Sequence, residues 1–452
     1  MGGIFKAYDI RGVVPEDLDA SWAHAIGVAF AEFCGVDDIV VGRDMRLTSP
    51  EIAGAVADGI RQAGVGVIDV GLASTDLLYF ASGKLDLPGA MITASHNPGN
   101  YNGIKLCREG AAPIGAESGL VEIEARAREL KKRGFSPSAA KGAIRTISML
   151  EPYVEHVRSF VEISELAPLR VVADTANGMG GLVVPAVFDG LGMHLDILYP
   201  ELDGSFPNHP ADPIQPENLV DLKARVLTEK ADIGLAFDGD ADRVFVVDDK
   251  ATSLFGSTTT ALIARRMLEK NPGATILYNL ICSKAVPELI QAQGGVAVRT
   301  RVGHSFIKAE MARTGAVFGG EHSGHYYFRD NYRADSGMIA ALTVLAEISR
   351  QRIDLSKLRA EFEPYAASGE VNTRVRDSSA VLAFVENAYE GRAHEDHLDG
   401  LTLDFGDWWF NLRPSNTEPL LRLNLEARSA SEVSKRSQEV LAVVAKADSE
   451  AL

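Results

Sequence analysis

Four short polar segments hold the residue types that could do chemistry. Thr93-Ala94-Ser95-His96-Asn97-Pro98 follows an apolar run, residues 88–92, that reads as a buried strand. Asn97-Pro98-Gly99-Asn100 is a turn signal, so Ser95 stands where strand gives way to loop. A hydroxyl placed there can act as a nucleophile, because the strand fixes the oxygen and the loop leaves room for a substrate. The plainer reading is a turn cap, the commoner use of short Ser/Asn/Pro loops. Asp238-Gly239-Asp240-Ala241-Asp242-Arg243 sets three carboxylates at alternate positions after a strand over 231–237. In an extended segment, alternate side chains fall on one side. Carboxylates gathered that way repel unless a cation sits among them, and oxygen ligands suit a hard ion such as Mg²⁺. A solvated acidic turn is the alternative. The Gly and the terminal Glu of a calcium loop are missing from their places, which argues against calcium.

Gly319-Gly320-Glu321-His322-Ser323-Gly324-His325 follows another strand, and Glu321 with Ser323 could bind adjacent hydroxyls of a sugar. A Gly-rich turn with incidental polar residues fits equally. His304 lies in the polar loop Arg301-Val302-Gly303-His304-Ser305, and a lone histidine is more often structural than catalytic. Arg413-Pro414-Ser415-Asn416-Thr417-Glu418-Pro419 offers a guanidinium, two hydroxyls, an amide and loop N–H groups, a suitable phosphate clamp. Its alternative is a polar turn.

The chain that positions these loops has 452 residues, too many for one core, so three or four domains are expected. Hydrophobic residues at 46% and charged residues at 24% are ordinary for a globular protein. No apolar run is long enough to span a bilayer, and the first residues lack the layout of a signal peptide, so no membrane association is expected. Cys34, Cys107 and Cys282 are few and scattered, which suits a cytoplasmic protein and no disulfide framework or zinc site. A net charge of -17 argues against nucleic-acid binding, yet local cations can still hold one phosphate.

Strand and helix patterns alternate through three segments, about 1–142, 143–250 and 251–363, and point to largely parallel sheets. The spacing predicts strands over 5–12, 38–42, 65–70, 169–174, 275–280 and 296–300. Helices are predicted near 19–33, 117–132, 153–163, 257–269 and 286–293. Ser49-Pro50-Glu51 reads as a helix start with Ser49 at the cap. Asn177-Gly178-Met179-Gly180-Gly181 lacks the spacing of a dinucleotide loop and reads as a tight strand-to-helix turn. The last segment, about 364–452, reads as a small α+β unit closed by a helix over 431–447. Duplicated domains are suggested, but identity between segments is too weak to establish a repeat.

The four loops, in this order and spacing, resemble those of the α-D-phosphohexomutase family, and within it the bacterial phosphomannomutase/phosphoglucomutase branch. The resemblance implies three related α/β domains with mixed sheets and a C-terminal α+β domain of the TATA-box-binding-protein-like type, around a central cleft. It implies that Ser95 is the phosphoserine and a metal ligand through its phosphoryl oxygen, with Asp238, Asp240 and Asp242 as Mg²⁺ ligands. Glu321, Ser323 and His325 match the sugar loop, and Arg413, Ser415, Asn416 and Thr417 the loop that holds the non-reacting phosphate. Tyr8, Arg11, Lys105 and Arg243 match groups around the phosphoserine, Lys105 as candidate proton carrier, and His304 matches a histidine near the substrate. The implied activity is phosphomannomutase, with glucose phosphate as a further substrate, passing through a hexose 1,6-bisphosphate that also serves as activator. Phosphoglucosamine mutase and a Mg²⁺-dependent sugar phosphatase are the alternatives. The partners implied are hexose phosphates, and the protein is expected to be a monomer or homodimer. Ala241 and Ile281 depart from the family pattern, Ile281 at a position where a basic substrate contact is expected.

Overall fold

The computed structural model describes residues 3–134, 138, 140–414 and 420–450. The first unit runs β1 (Ile10–Val13), α1 (Ala20–Cys34), β2 (Asp38–Arg43), α2 (Ser49–Gln62), β3 (Gly66–Leu72), α3 (Thr75–Leu85), β4 (Gly89–Ile92), β5 (Tyr101–Cys107), α4 (Leu120–Arg133) and β6 (Ile144–Thr146). The second runs α5 (Leu150–Arg158), β7 (Arg170–Asp174), α6 (Gly180–Phe188), β8 (His194–Leu198), α7 (Val220–Glu229), β9 (Ile233–Phe237) and β10 (Val244–Asp248). The third runs α8 (Gly256–Lys270), β11 (Thr275–Asn279), α9 (Ala285–Ala292), β12 (Val296–Thr300), α10 (His304–Thr314), β13 (Phe318–Gly320), β14 (Tyr326–Phe328), α11 (Gly337–Gln351) and α12 (Leu355–Leu358). The fourth is β15 (Ala366–Arg374), α13 (Ser378–Ala388), β16 (His394–Asp396), β17 (Leu401–Asp404), β18 (Trp408–Pro414), β19 (Leu420–Ala427) and α14 (Ala430–Glu450).

The first three sheets share one arrangement. In the first, β4, β2 and β3 are parallel and β5 returns antiparallel to β4. In the second, β9, β7 and β8 are parallel and β10 returns antiparallel to β9. In the third, β13, β11 and β12 are parallel and β14 returns antiparallel to β13. The sheets are therefore mixed, as the family resemblance implies, where the alternation of elements by itself predicts largely parallel ones. A parallel neighbour needs a crossover of a dozen or more residues, and the connections after β4, β9 and β13 are too short for one. Those three connections are the Ser95 loop, the Asp238–Asp242 loop and the Glu321–His325 loop. The relation between the segments, too faint to establish in the sequence, is plain in the topology. The fourth sheet is antiparallel, in order β15-β19-β18-β17-β16.

Local departures from the predicted elements have simple causes. The first strand starts only at Ile10, and Phe5 makes an isolated bridge to it. Ser49 does not cap α2: Thr48 holds that position without a side-chain bond, and the Ser49 hydroxyl donates to Asp44 Oδ1 at 2.5 Å. The helix predicted from 117 starts at Leu120, because Gly119 sits at φ 130° between it and a 3-10 turn. The Gly178 segment is a tight turn between β7 and α6, as its residues predict.

One apolar core runs through the first three units, from Leu77 and Leu78 of α3 through Tyr153 of α5 and Phe237 of β9 to Ile339 and Leu342 of α11. The fourth unit has its own core, built from residues such as Val385, Phe410, Leu423 and Val440. Helices α1 and α2 cross backbone to backbone. A Cβ on Gly27 would lie 2.2 Å from the Val56 carbonyl oxygen, and one on Gly59 would lie 2.2 Å from that of His24. Gly59→Ala should therefore push the helices apart and destabilise the protein by about 1–3 kcal/mol, read as a lower thermal midpoint. Gly54→Ala on the same helix has open space around its Cβ. It should leave the midpoint unchanged or raise it slightly, through the better helix propensity of alanine.

Candidate active site

Ser95 follows β4 with a positive φ of 50°, a conformation that costs a non-glycine residue about 1–3 kcal/mol and persists only when its surroundings impose it. Two contacts do so. Thr93 Oγ1 accepts from Ser95 N at 2.9 Å, and Arg46 Nη2 donates to the Ser95 carbonyl oxygen at 2.8 Å. Arg46 also donates to the carbonyl oxygens of Asn97 (2.6 Å), Pro98 (2.7 Å) and Tyr101 (3.0 Å). Its guanidinium is buried, 3.3 Å from Asp44, under the ring of Phe206. Gly239 meets the loop from the second unit; a Cβ there would lie 2.3 Å from the Ser95 carbonyl oxygen.

The Ser95 hydroxyl donates to Asp238 Oδ2 at 2.7 Å. Arg243 lies on both, with Nε 2.9 Å from Asp238 Oδ2 and Nη2 3.4 Å from Ser95 Oγ. His96 Nδ1 is 3.2 Å from Ser95 Oγ. Arg243, burial and Arg11 together push His96 well below the usual imidazole range. Arg11 Nη1 donates to Asn97 Oδ1 at 2.5 Å, and its other nitrogen pairs with Asp9.

Asp238, Asp240 and Asp242 are buried and bring one carboxylate oxygen each within 4.8 Å of the others. They converge through a turn with Ala241 at φ 59°, not through the alternation of an extended segment. The turn rests on the Gly178 segment: Met179 N donates to the Gly239 carbonyl oxygen at 2.9 Å. Lys105 Nζ donates to Asp240 Oδ2 and Asp242 Oδ2, both at 2.7 Å. Burial drives Asp238 up to about 7, with Arg243 opposing and the neighbouring carboxylates adding. Burial acts the same way on Asp240, but Lys105 and the Thr75 hydroxyl outweigh it and hold that group well below the usual carboxylate range. Burial disfavours the Lys105 ammonium, and Asp240 and Asp242 more than restore it, holding its pKa well above the usual lysine value.

These residues fit a hard cation. Among the described residues, Asp240 Oδ1 and Asp242 Oδ1 are buried without a hydrogen-bond partner. All-oxygen ligands beside a serine hydroxyl match Mg²⁺ chemistry. A second group, Asp242, His325 and Asp335, shares Asp242, but His325 Nδ1 is already 2.8 Å from Asp335 Oδ2.

Glu321 is buried at the turn after β13, where Tyr327 OH donates to Oε2 at 2.7 Å and Gly303 N to Oε1 at 3.1 Å. Ser323 and His325 lie in the same turn, and the backbone of His325 bridges to Arg243. Arg243 also touches Ser95 Oγ, so this bridge brings the third loop beside the serine loop. Tyr8 stacks edge-on with Phe306, 6.0 Å between centroids, and feels Arg301, Asp399, Glu321 and Arg413. Arg413, next to last in β18, lies near Glu370 (3.6 Å) and Asp399 (3.8 Å). Ser415, Asn416 and Thr417 lie outside the described residues, as does the side chain of His304, whose backbone opens α10. Ile281 is buried, and the basic residue three places on, Lys284, reaches Asp404 of the fourth unit at 2.7 Å. Sequence reasoning missed Arg46, Thr75 and Asp335. The polar run Arg43-Asp44-Met45-Arg46 after β2 was the one signal for the first of them.

The chain matches the phosphoglucomutase/phosphomannomutase family throughout: alpha/beta/alpha domain I over residues 2–134, domain II over 151–252, domain III over 255–365 and the C-terminal domain over 370–443. A phosphomannomutase of Salmonella typhimurium is 40% identical over 434 residues, 94% of each chain. Phosphohexose mutases of Xanthomonas campestris are 41% identical over 441 residues, 96% of this chain and 98% of theirs. The structure of a phosphoglucomutase/phosphomannomutase family protein from Burkholderia thailandensis aligns with a TM-score of 0.89 at 33% identity, over 98% of this chain and 97% of that one. This chain belongs to the α-D-phosphohexomutase superfamily, in its bacterial phosphomannomutase/phosphoglucomutase branch. It is a phosphohexomutase-type enzyme with a candidate metal centre at Asp238, Asp240 and Asp242. Among the described residues, no helix is long and apolar enough to cross a membrane.

The clasp on the serine loop can be tested apart from the chemistry. Arg46→Met strands buried Asp44 and the loop carbonyls. Removing one partner of a buried pair costs about 3–5 kcal/mol, which should appear as a lower denaturant midpoint.

Proposed function

We propose that the enzyme is a phosphomannomutase, also able to use glucose phosphate, that works through a phosphoserine at Ser95 and a hexose 1,6-bisphosphate. The observation that carries this reading is the Ser95 hydroxyl, 2.7 Å from Asp238 Oδ2 with Arg243 against both. In the first step, a free hydroxyl of the hexose monophosphate attacks the phosphorus on Ser95. A new O–P bond forms, the bond to Ser95 Oγ breaks, and the hydroxyl proton passes to a base in the cleft. The bisphosphate then turns over and returns its other phosphoryl group to Ser95. Asp238, Asp240, Asp242 and the phosphoryl oxygen on Ser95 would hold Mg²⁺, which when bound neutralises charge on the transferring group. Arg11 and Arg243 balance the remaining charge beside it. Lys105, an ammonium on two carboxylates, and His304 are assigned to proton movement. Glu321, Ser323 and His325 hold the sugar. Tyr8 lines the cleft, and Arg413, Ser415, Asn416 and Thr417 grip the phosphate that is not reacting.

In this reading the work divides along the chain at about residues 142, 250 and 363, and the last unit swings to admit and release substrate. The similar sequences named phosphomannomutase support the sugar assignment. Ser95→Ala should lower mutase turnover by about a thousandfold or more. Intact mass should show one phosphoryl group on the wild type and none on the variant. Chelation should abolish turnover, and added Mg²⁺ should restore it.

In a coupled assay, mannose 1-phosphate and glucose 1-phosphate should outrun glucosamine 1-phosphate. Equal rates on all three would overturn the assignment of Glu321, Ser323 and His325. Net consumption of hexose 1,6-bisphosphate without isomerisation would instead identify a phosphatase.

A further inference from the structure

We infer that Thr75 and Asp76, at the start of α3 in the first unit, are positioning residues for the metal carboxylate Asp240 in the second. The inference rests on the metal reading given above. Thr75 is fully buried and grips Asp240 at two points: its hydroxyl donates to Oδ2 at 2.5 Å, and its N–H donates to the backbone carbonyl oxygen at 3.0 Å. Lys105 donates to the same Oδ2 at 2.7 Å. Both strong donors therefore fall on one carboxylate oxygen. The other, Oδ1, is buried without a hydrogen-bond partner among the described residues, and is left to face a cation. Groups that saturate one side of a ligand fix the orientation of the side that binds.

Thr75 is itself held from behind. Asp76 is fully buried, and its carboxylate accepts from three hydroxyls: Ser74 at 2.5 Å, Tyr153 at 2.6 Å and Ser336 at 2.6 Å. Ser74 and Ser336 are the caps of α3 and α11, and Tyr153 lies on α5. One carboxylate thus ties together a residue from each of the first three units. Burial raises its pKa to about 6, the sign of a carboxylate kept where a neutral residue would bury more easily. Its neighbour Thr75 is then fixed relative to the second unit, and Asp240 with it.

A purely structural role would lower stability and leave metal affinity alone, so the two can be separated. Mg²⁺ is titrated calorimetrically into the purified full chain without sugar phosphate. Thr75→Val keeps the shape of the side chain and removes the donor. It should weaken Mg²⁺ binding about 10–100-fold, the usual effect of losing an outer-shell partner. Thr75→Ser should return the affinity to near that of the wild type. In turnover, Thr75→Val should raise the Mg²⁺ concentration needed for half-maximal rate and leave the KM for hexose phosphate unchanged. Asp76→Asn should weaken Mg²⁺ in the same direction, and it carries the test should Thr75→Val fail to fold. Wild-type Mg²⁺ affinity in either folded variant, or a Ser variant as weak as the Val one, overturns the inference. A wild-type chain that binds no divalent cation overturns the metal reading itself, a distinct outcome.

Discussion

Everything at the candidate metal centre depends on keeping three carboxylates buried side by side. Like charges a few ångströms apart in a low-dielectric interior are tolerable only with cations and fixed donors among them. The chain brings those donors from elsewhere. Arg243 comes from the same loop, Lys105 from β5 of the first unit, and Thr75 from the start of α3. The aspartate loop cannot be stable alone, because two of the three groups that make it tolerable belong to another unit. Docking of the second unit on the first and assembly of the candidate metal centre are therefore one event. Gly239 against the Ser95 carbonyl leaves no slack in that docking, since even a methyl group would collide.

The shared topology explains why the three candidate loops meet. Each lies at the turn from the last parallel strand into the antiparallel edge strand. Equivalent turns on three copies of one fold can therefore touch, and the described contacts bring the second turn against both others. In the proposed function, different residues at equivalent turns then give a nucleophile, a cation site and a sugar site. The backbone bridge between Arg243 and His325 joins the second turn to the third, and Gly239 joins it to the first.

Much of this was legible in the sequence, and the rest was hidden for physical reasons. Ser95, the aspartate trio and the Glu321 turn announce themselves because short polar runs after apolar strands are chemically conspicuous. The α/β alternation was equally visible. Arg46, Thr75, Asp76 and Asp335 were not, since their roles exist only through partners far away in the chain. The helix α3 is absent from the sequence-based expectations, although Ser74 and Asp76 have the types of a helix start and do serve α3 locally. That Asp76 also collects hydroxyls from residues 153 and 336 is a tertiary fact. The mixed sheets follow from the family resemblance; the alternation of elements alone carries no sign of the antiparallel return, because a strand's residues do not say which way it runs beside its neighbour. Ser49 was read as a cap from its type, but tertiary contacts with Asp44 and Asn102 take its hydroxyl.

The fourth unit is attached by different physics, and that difference matters for the proposed mechanism. The first three units share one apolar core and the Asp76 knot, so separating them would expose hydrocarbon and strand a carboxylate. The fourth keeps its core to itself. Its described contacts with the third unit include Lys284 with Asp404, Arg299 with Asp396, Lys284 N with Glu426 and Val302 N with Asp399. Apart from the bond to Glu426, which is buried, these contacts are partly exposed, and exposed pairs contribute little each and can be exchanged for water. An intermediate that must turn over between two half-reactions needs a reaction centre that does not move and one wall that does. Rigidity is placed where Ser95 meets the carboxylates, and replaceable polar contacts are placed where the fourth unit meets the third.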